Sequence, residues 1–190
     1  VIILRHRKLT YKLIILFVLF IGGWVIPTKN SYATSPFMTG FIIEAAQMEG
    51  TIQSLGLSTG DTVLAQNVPM LDMKFTEASA EGLVIKKIVQ TPNGTVTTDI
   101  SSQDTAHFKN LGVKVTNAEF EGVYVSDKGK IGFKHIKLLA HYVTSTSADL
   151  SKFALHFTNG GQLEMQSKNE EELLQIETKL KQFLNISKEK

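Results

Sequence analysis

The chain has 190 residues, 43% of them hydrophobic, with 20 Lys and Arg against 18 Asp and Glu and no cysteine. The missing cysteine excludes disulfides, thiol catalysis, cysteine-ligated metal and lipid attachment at a cysteine, so any folded domain must rest on its own core. The formal charge of +2 hides an asymmetry: Arg5, Arg7, Lys8, Lys12 and Lys29 lie in the first 33 residues, which hold no acidic residue, and the remainder carries 15 Lys against 18 Asp and Glu, a net of −3.

Arg5, Arg7, Lys8 and Lys12 form a basic stretch that precedes the apolar run Leu13 to Ile26. That run of 14 residues suits the apolar segment of a secretory signal peptide and falls short of the ~20 a spanning helix needs. Pro27 ends it, and Ser31-Tyr32-Ala33 offers small side chains at the two positions a signal peptidase reads, which predicts cleavage after Ala33. The alternative is an uncleaved anchor lengthened by Ile2 to Leu4. The expectation is therefore export across a cytoplasmic membrane of bacterial type, to the cell envelope or the medium, with the leader as the only membrane contact before cleavage.

The expected exported part, residues 34–190, has no arginine. It lacks the guanidinium fork on which nucleic-acid and phosphate readers rely, so nucleic acid is set aside as a partner. Phe37, Met38, Phe41, Ile42 and Ile43 open it as a first buried strand or, alternatively, as the lip of a ligand site. Residues 34–167 read as short strands separated by turn chemistry.

Three hairpins are signalled by glycine where a positive φ is needed. Pro92-Asn93-Gly94 joins the run Leu83 to Val89 to Val96 to Ile100. Ser126-Asp127-Lys128-Gly129 joins Val123–Val125 to Ile131–Phe133, and Asn159-Gly160-Gly161 joins Phe153-Leu155-Phe157 to Leu163-Met165. Such short connections make antiparallel pairs.

The form Ala-x-x-Glu-Gly occurs at 46–50, 78–82 and 118–122, spaced by 32 and 40 residues, each time before strand-like residues. It reads as three passes of a repeated β-module, with Gly at a bulge or close backbone approach and Glu49, Glu81 and Glu121 facing solvent. The functional alternative is a ligand or metal stripe made by the three glutamates. Residues 168–190 change character. Asn169 caps a helix, Glu170, Glu171 and Glu172 suit its positive end, and Leu173, Ile176, Leu180, Phe183 and Leu184 recur at helical spacing.

The fold class expected is mainly β, an antiparallel elongated twisted sheet or a β-solenoid-like stack of strand modules, with one C-terminal amphipathic helix. A compact β-sandwich is the alternative.

No residue set points to catalysis. Gly56-Leu57-Ser58-Thr59-Gly60 matches the G-x-S-x-G hydrolase elbow, but an elbow needs a helix after the serine, and Asp61 to Val68 is non-periodic and closed by Pro69. Four histidines remain, His107, His135, His141 and His156. His135 and His141 on one strand would stand about 20 Å apart, too far to share a metal, and His156 lies opposite the apolar face of Phe153, Leu155 and Phe157. With no metal-ligand spacing, neither metal nor cofactor is expected.

Ile136-Lys137-Leu138, Ser145-Thr146-Ser147-Ala148 and Phe153-Ala154-Leu155 together resemble the closing strands of an uncharacterised family of secreted actinobacterial proteins with a β-rich domain of unknown function. The likeness covers about 20 residues of common sheet types. It implies export and a β-rich fold, and no activity.

The leading functional expectation is a non-enzymatic cell-envelope protein that binds an apolar or lipid-like ligand, or an envelope partner, through an extended β surface. One alternative is a structural or assembly protein of the cell surface or spore coat, self-associating through Leu173, Ile176, Leu180 and Phe183. A secreted hydrolase using Ser58 is the third reading.

Overall fold

A computed structural model describes residues 37–126 and 130–188, with side chains placed for 40–126 and 130–185. The leader and its cleavage site at Ala33 lie outside the described residues, as do the side chains of Phe37 and Met38.

Among the described residues, nine strands precede one helix: β1 (Phe37–Gly60), β2 (Val68–Glu81), β3 (Val84–Thr91), β4 (Gly94–Ser102), β5 (Ala106–Glu119), β6 (Gly122–Val125), β7 (Ile131–Thr144), β8 (Ser147–Asp149), β9 (Phe153–Asn159) and α1 (Glu170–Lys188). All nine belong to one sheet, and every pairing is antiparallel. Of the arrangements left open by the sequence, this single antiparallel sheet with its terminal helix is the one formed.

The strands are longer than turn chemistry suggests, because several breaks interrupt a strand without changing its course. Gln47 faces Glu81 and Glu44 faces Val84, so β2 and β3 are successive halves of one path along β1, bent at Gly82, whose φ is +63°. The same continuity holds next door. Ala80 pairs with Ala106 and Val84 with Ser101, so β5 and β4 follow β2 and β3 across the gap at 103–105. Thr144, Asp149 and Phe153 then face Gly112, His107 and Ser102, which makes β7, β8 and β9 one path along β5 and β4. The fold is thus four long antiparallel passes drawn as nine strands.

The passes divide into two ends. At one, Ile131–Ala140 of β7 pairs back onto Gly50–Phe41 of β1 while β7 also pairs with β5, so the ladder β1-β2-β5-β7 returns to its start. Phe75, Val115, Phe133 and Ala140, each at most 1% exposed, lie in its core. α1 lies over this end, against β1, β2 and β6. It buries Leu173 and Leu180 completely and Ile176, Phe183 and Leu184 in part. Asn169 caps it as the sequence predicts, and the structure adds a reciprocal bond that makes a capping box: Glu172 N–H donates to Asn169 Oδ1 (2.9 Å) and Asn169 N–H to Glu172 Oε2 (2.9 Å). At the other end β1, β3, β4 and β9 continue as an open sheet whose last strand, β9, pairs only with β4 among the described residues.

Two strand pairs form as expected, β3–β4 around Pro92-Asn93 and β6–β7 with Val125 opposite Ile131. The third does not. Gly160 and Gly161 carry φ values of +92° and +111°, and they swing the chain across the sheet instead of back beside β9. Gly161 packs on the Thr97 side chain, which leaves no room for a Cβ. Leu163 and Met165 then pack against Ile42 and Leu139, where Met165 is 4% exposed, burial that a hairpin at the sheet edge would not supply.

Candidate functional site

In an antiparallel ladder, directly paired residues project from the same face. One such row crosses five strands: Leu155 of β9 pairs with Ile100 of β4, Ile100 with Ile85 of β3, Ile85 with Ile43 of β1, and Ile43 with Leu138 of β7. Every member is a branched aliphatic residue. Leu138 is 2% exposed, Ile43, Ile85 and Ile100 are half-buried, and Leu155 is 48% exposed. Beside Leu155 on the same face, Phe153 and Phe157 are 64% and 63% exposed.

At its inner end the row meets a cavity of about 40 Å³ walled by Ile43, Met73, Phe75, Ile85, Phe108 and Leu138. That would take a few water molecules, and it is far below the ~300–1,000 Å³ of a pocket that encloses a ligand. An acyl chain therefore has no room inside, and the accessible apolar surface is the outer half of the row.

The opposite face of the same strands is polar and strapped down by residues 163–168. Lys137 Nζ reaches Glu164 (2.7 Å) and Glu44 (2.9 Å), and Lys86 lies 3.5 Å from Glu44. The hydrogen bond from Lys137 and the nearby charge of Lys86 hold the Glu164 carboxyl below its ordinary range, while Glu164 and then Glu44 raise the Lys137 ammonium. Farther along, Asn117 donates to the Gln166 carbonyl (2.8 Å), Lys168 N–H donates to the Thr116 carbonyl (2.8 Å), and Ser167 Oγ donates to Thr116 Oγ1 (3.0 Å). Thr116 Oγ1 is in turn 3.0 Å from His141 Nε2, and burial lowers the pKa of that imidazole. One face is thus closed by a strap, while the other shows apolar side chains to solvent.

The residues singled out from the sequence do not assemble into a site. Ser58 lies within β1, its Oγ buried without a hydrogen-bond partner among the described residues, and β1 continues beyond it to Gly60 where an elbow would turn into a helix. Without a base in contact and without the turn, the hydroxyl has neither activation nor exposure. His135 and His141 share β7, while His107 and His156 are exposed on β5 and β9. Among the described residues, no three His, Asp or Glu side chains converge as a metal set.

The three glutamate-glycine pairs are structurally unlike. Gly50 lies in mid-strand, where a Cβ would stand 2.8 Å from both the Glu77 carbonyl oxygen and Phe75 Cδ1. Gly82 makes the β2–β3 bend, and Gly122 opens β6, where a Cβ would meet the Lys134 side chain at an ordinary 3.9 Å. Glu121 is 3.8 Å from His135, whereas Glu49 is half-buried and accepts a hydrogen bond from Tyr124 Oη (2.7 Å). The expectation that Glu49 faces solvent is corrected. The Tyr124 ring lies on Gly132, next to Glu49 across the β7–β1 ladder, and so carries its hydroxyl over β7 to the carboxylate. Burial first, then the hydrogen bond and charge of Glu49, push the Tyr124 pKa up to about 12.

What the sequence did not show is the exposed row itself. Its only signal was the alternation Phe153-Leu155-Phe157, which a buried hairpin strand would share.

Searches for a matching family model, a similar curated protein and a similar solved structure each found none. Among the described residues, no helix is long and apolar enough to cross a membrane.

Proposed function

We propose that this chain is an exported, non-enzymatic protein of the cell envelope that holds an apolar or lipid-like ligand against the open face of β1, β3, β4 and β9. The observation that carries this reading is the aliphatic row from Leu138 to Leu155, continuous with the core at one end and bare at the other. A soluble surface gains nothing from exposing Phe153, Leu155 and Phe157 side by side, whereas covering them with an acyl chain removes their apolar area from water at about 25 cal/mol per Å². The small volume of the inner cavity favours a ligand that lies on the sheet.

The test is extraction of lipid from purified protein, paired with flotation on phospholipid vesicles. Wild type is expected to carry lipid or to float, and Ile100→Asp, which places a carboxylate in mid-row, to do neither while keeping its circular dichroism spectrum. A wild type that carries no lipid and ignores vesicles sinks the proposal.

For the assembly alternative, the apolar stripe of α1 is already occupied. Leu173 and Leu180 are buried against the sheet and would have to undock before meeting a second helix. For the hydrolase alternative, Ser58→Ala is the direct check, with no loss of any hydrolytic activity expected.

A further inference from the structure

The outer edge of β9 has backbone groups to offer as well as apolar side chains. Gly160 N–H donates to the Thr95 carbonyl (2.7 Å) and Gln103 N–H to the Lys152 carbonyl (3.5 Å), which fixes the alternation between them. Ala154, His156 and Thr158 turn their N–H and C=O toward β4, so Phe153, Leu155, Phe157 and Asn159 turn theirs outward. No described strand meets those outward groups.

Sheet edges are ordinarily guarded by lysine, proline, a bulge or a covering element. Phe153–Asn159 contains no lysine, aspartate, glutamate or proline, and it pairs with β4 without a register shift.

We propose that β9 pairs antiparallel with β9 of a second copy of this chain, with Leu155 opposite Leu155 on the two-fold axis. Outward groups must meet outward groups, which restricts the pairing to odd-numbered residues facing odd-numbered ones. Only the Leu155-centred register then places all three exposed apolar residues against one another: Phe153 faces Phe157, Leu155 faces itself, and Phe157 faces Phe153. Centring on His156 would leave Phe153 opposite Asn159, and centring on Phe157 would set it opposite Gly161. On the other face the chosen register sets Ala154 against His156, a small side chain beside a larger one.

The strand carries no Lys, Asp or Glu, and its one titratable side chain, His156, faces Ala154 and not its own copy in this register, so self-pairing sets no like charges directly opposite. The two-fold runs perpendicular to the sheet and keeps both apolar faces on the same side. The row Leu138-Ile43-Ile85-Ile100-Leu155 thereby continues into its own copy, doubling the surface. The pairing stands apart from the ligand reading, because it needs only the edge.

The chain has no cysteine, so single substitutions report position cleanly. In lipid-extracted full-chain protein, Leu155→Cys is expected to form a disulfide dimer under mild oxidation at least about tenfold faster than Thr158→Cys, since only position 155 meets its own copy within the ~7 Å Cα separation a disulfide spans. Wild type should sediment as a dimer and Leu155→Asp as a monomer. Ile100→Asp, which strikes the face and spares the edge, should remain dimeric even if it loses lipid. A monomeric wild type, or Thr158→Cys cross-linking as readily as Leu155→Cys, overturns the proposal. In the first case the edge would be left to a strand from a different protein.

Discussion

Leu155 and Leu174 are almost equally exposed, at 48% and 49%, yet they belong to opposite ends of the sheet. Leu174 is a lone apolar residue on the outer side of α1, flanked by Leu173 and Ile176, which turn into the core, and solitary exposed leucines need no explanation. Leu155 ends a five-strand row and has two exposed phenylalanines beside it. The closed end has spent its apolar surface on folding, and the open end has kept some in reserve. Stability should therefore reside in the first and binding in the second.

The largest effect expected from that division is at the helix. Leu180→Ala removes a fully buried side chain between α1 and the sheet, and should cost about 2–5 kcal/mol in urea unfolding, against less than about 1 kcal/mol for Leu155→Ala. Equal losses at the two positions would erase the distinction.

The glycines give the next measure. Gly50→Ala drives a methyl into the Glu77 carbonyl and the Phe75 ring from a strand held on both sides by β2 and β7, and should cost about 1–3 kcal/mol. Gly122→Ala, whose methyl would meet only the Lys134 side chain at an ordinary 3.9 Å contact, should be within about 0.5 kcal/mol of wild type. Similar costs would restore the equivalence that the repeated Ala-x-x-Glu-Gly pattern suggests.

A smaller effect belongs to Tyr124 and Glu49. Their hydrogen bond should show a coupling of about 1 kcal/mol in a double-mutant cycle with Tyr124→Phe and Glu49→Gln. Because the folded pKa of about 12 exceeds the ordinary 10, this tyrosine's contribution is present below pH 10 and is lost as pH rises toward 12. In Glu49→Gln the titration, followed by NMR at Tyr124, should move down.

The smallest is at His141. Its pKa is lowered in the folded state, so the unfolded chain takes up the proton first, and stability should decline as pH falls below about 6.5. His141→Gln should flatten that decline, and an unchanged slope would show that the imidazole under the strap is not its source.

Much of the closed end was legible because its signals are local. The helix announces itself through Asn169, the glutamates after it and the spacing of Leu173, Ile176 and Leu180, and the β3–β4 and β6–β7 turns through their glycines. Strand length was hidden for the opposite reason. Between Gln47 and Gly60 the 24-residue β1 alternates only weakly, carrying Gly50, Gln53, Ser54 and Gly56, and it is held together by partners distant in sequence. The turn at Gly160-Gly161 misled because two glycines permit several turns, and the choice was made by Met165 finding Ile42 and Leu139. The apolar row was invisible because it does not run along the chain. Ile43, Ile85, Ile100 and Leu155 become neighbours only when four passes are laid side by side.

The claim that the open end is the binding surface is tested most directly by comparing lipid retention in Leu155→Asp and Leu174→Asp, two equally exposed leucines given the same charge. The expected result is that Leu155→Asp loses the lipid carried by wild type while Leu174→Asp retains it. If both retain it, or if Leu174→Asp alone loses it, the open face is not where the ligand lies.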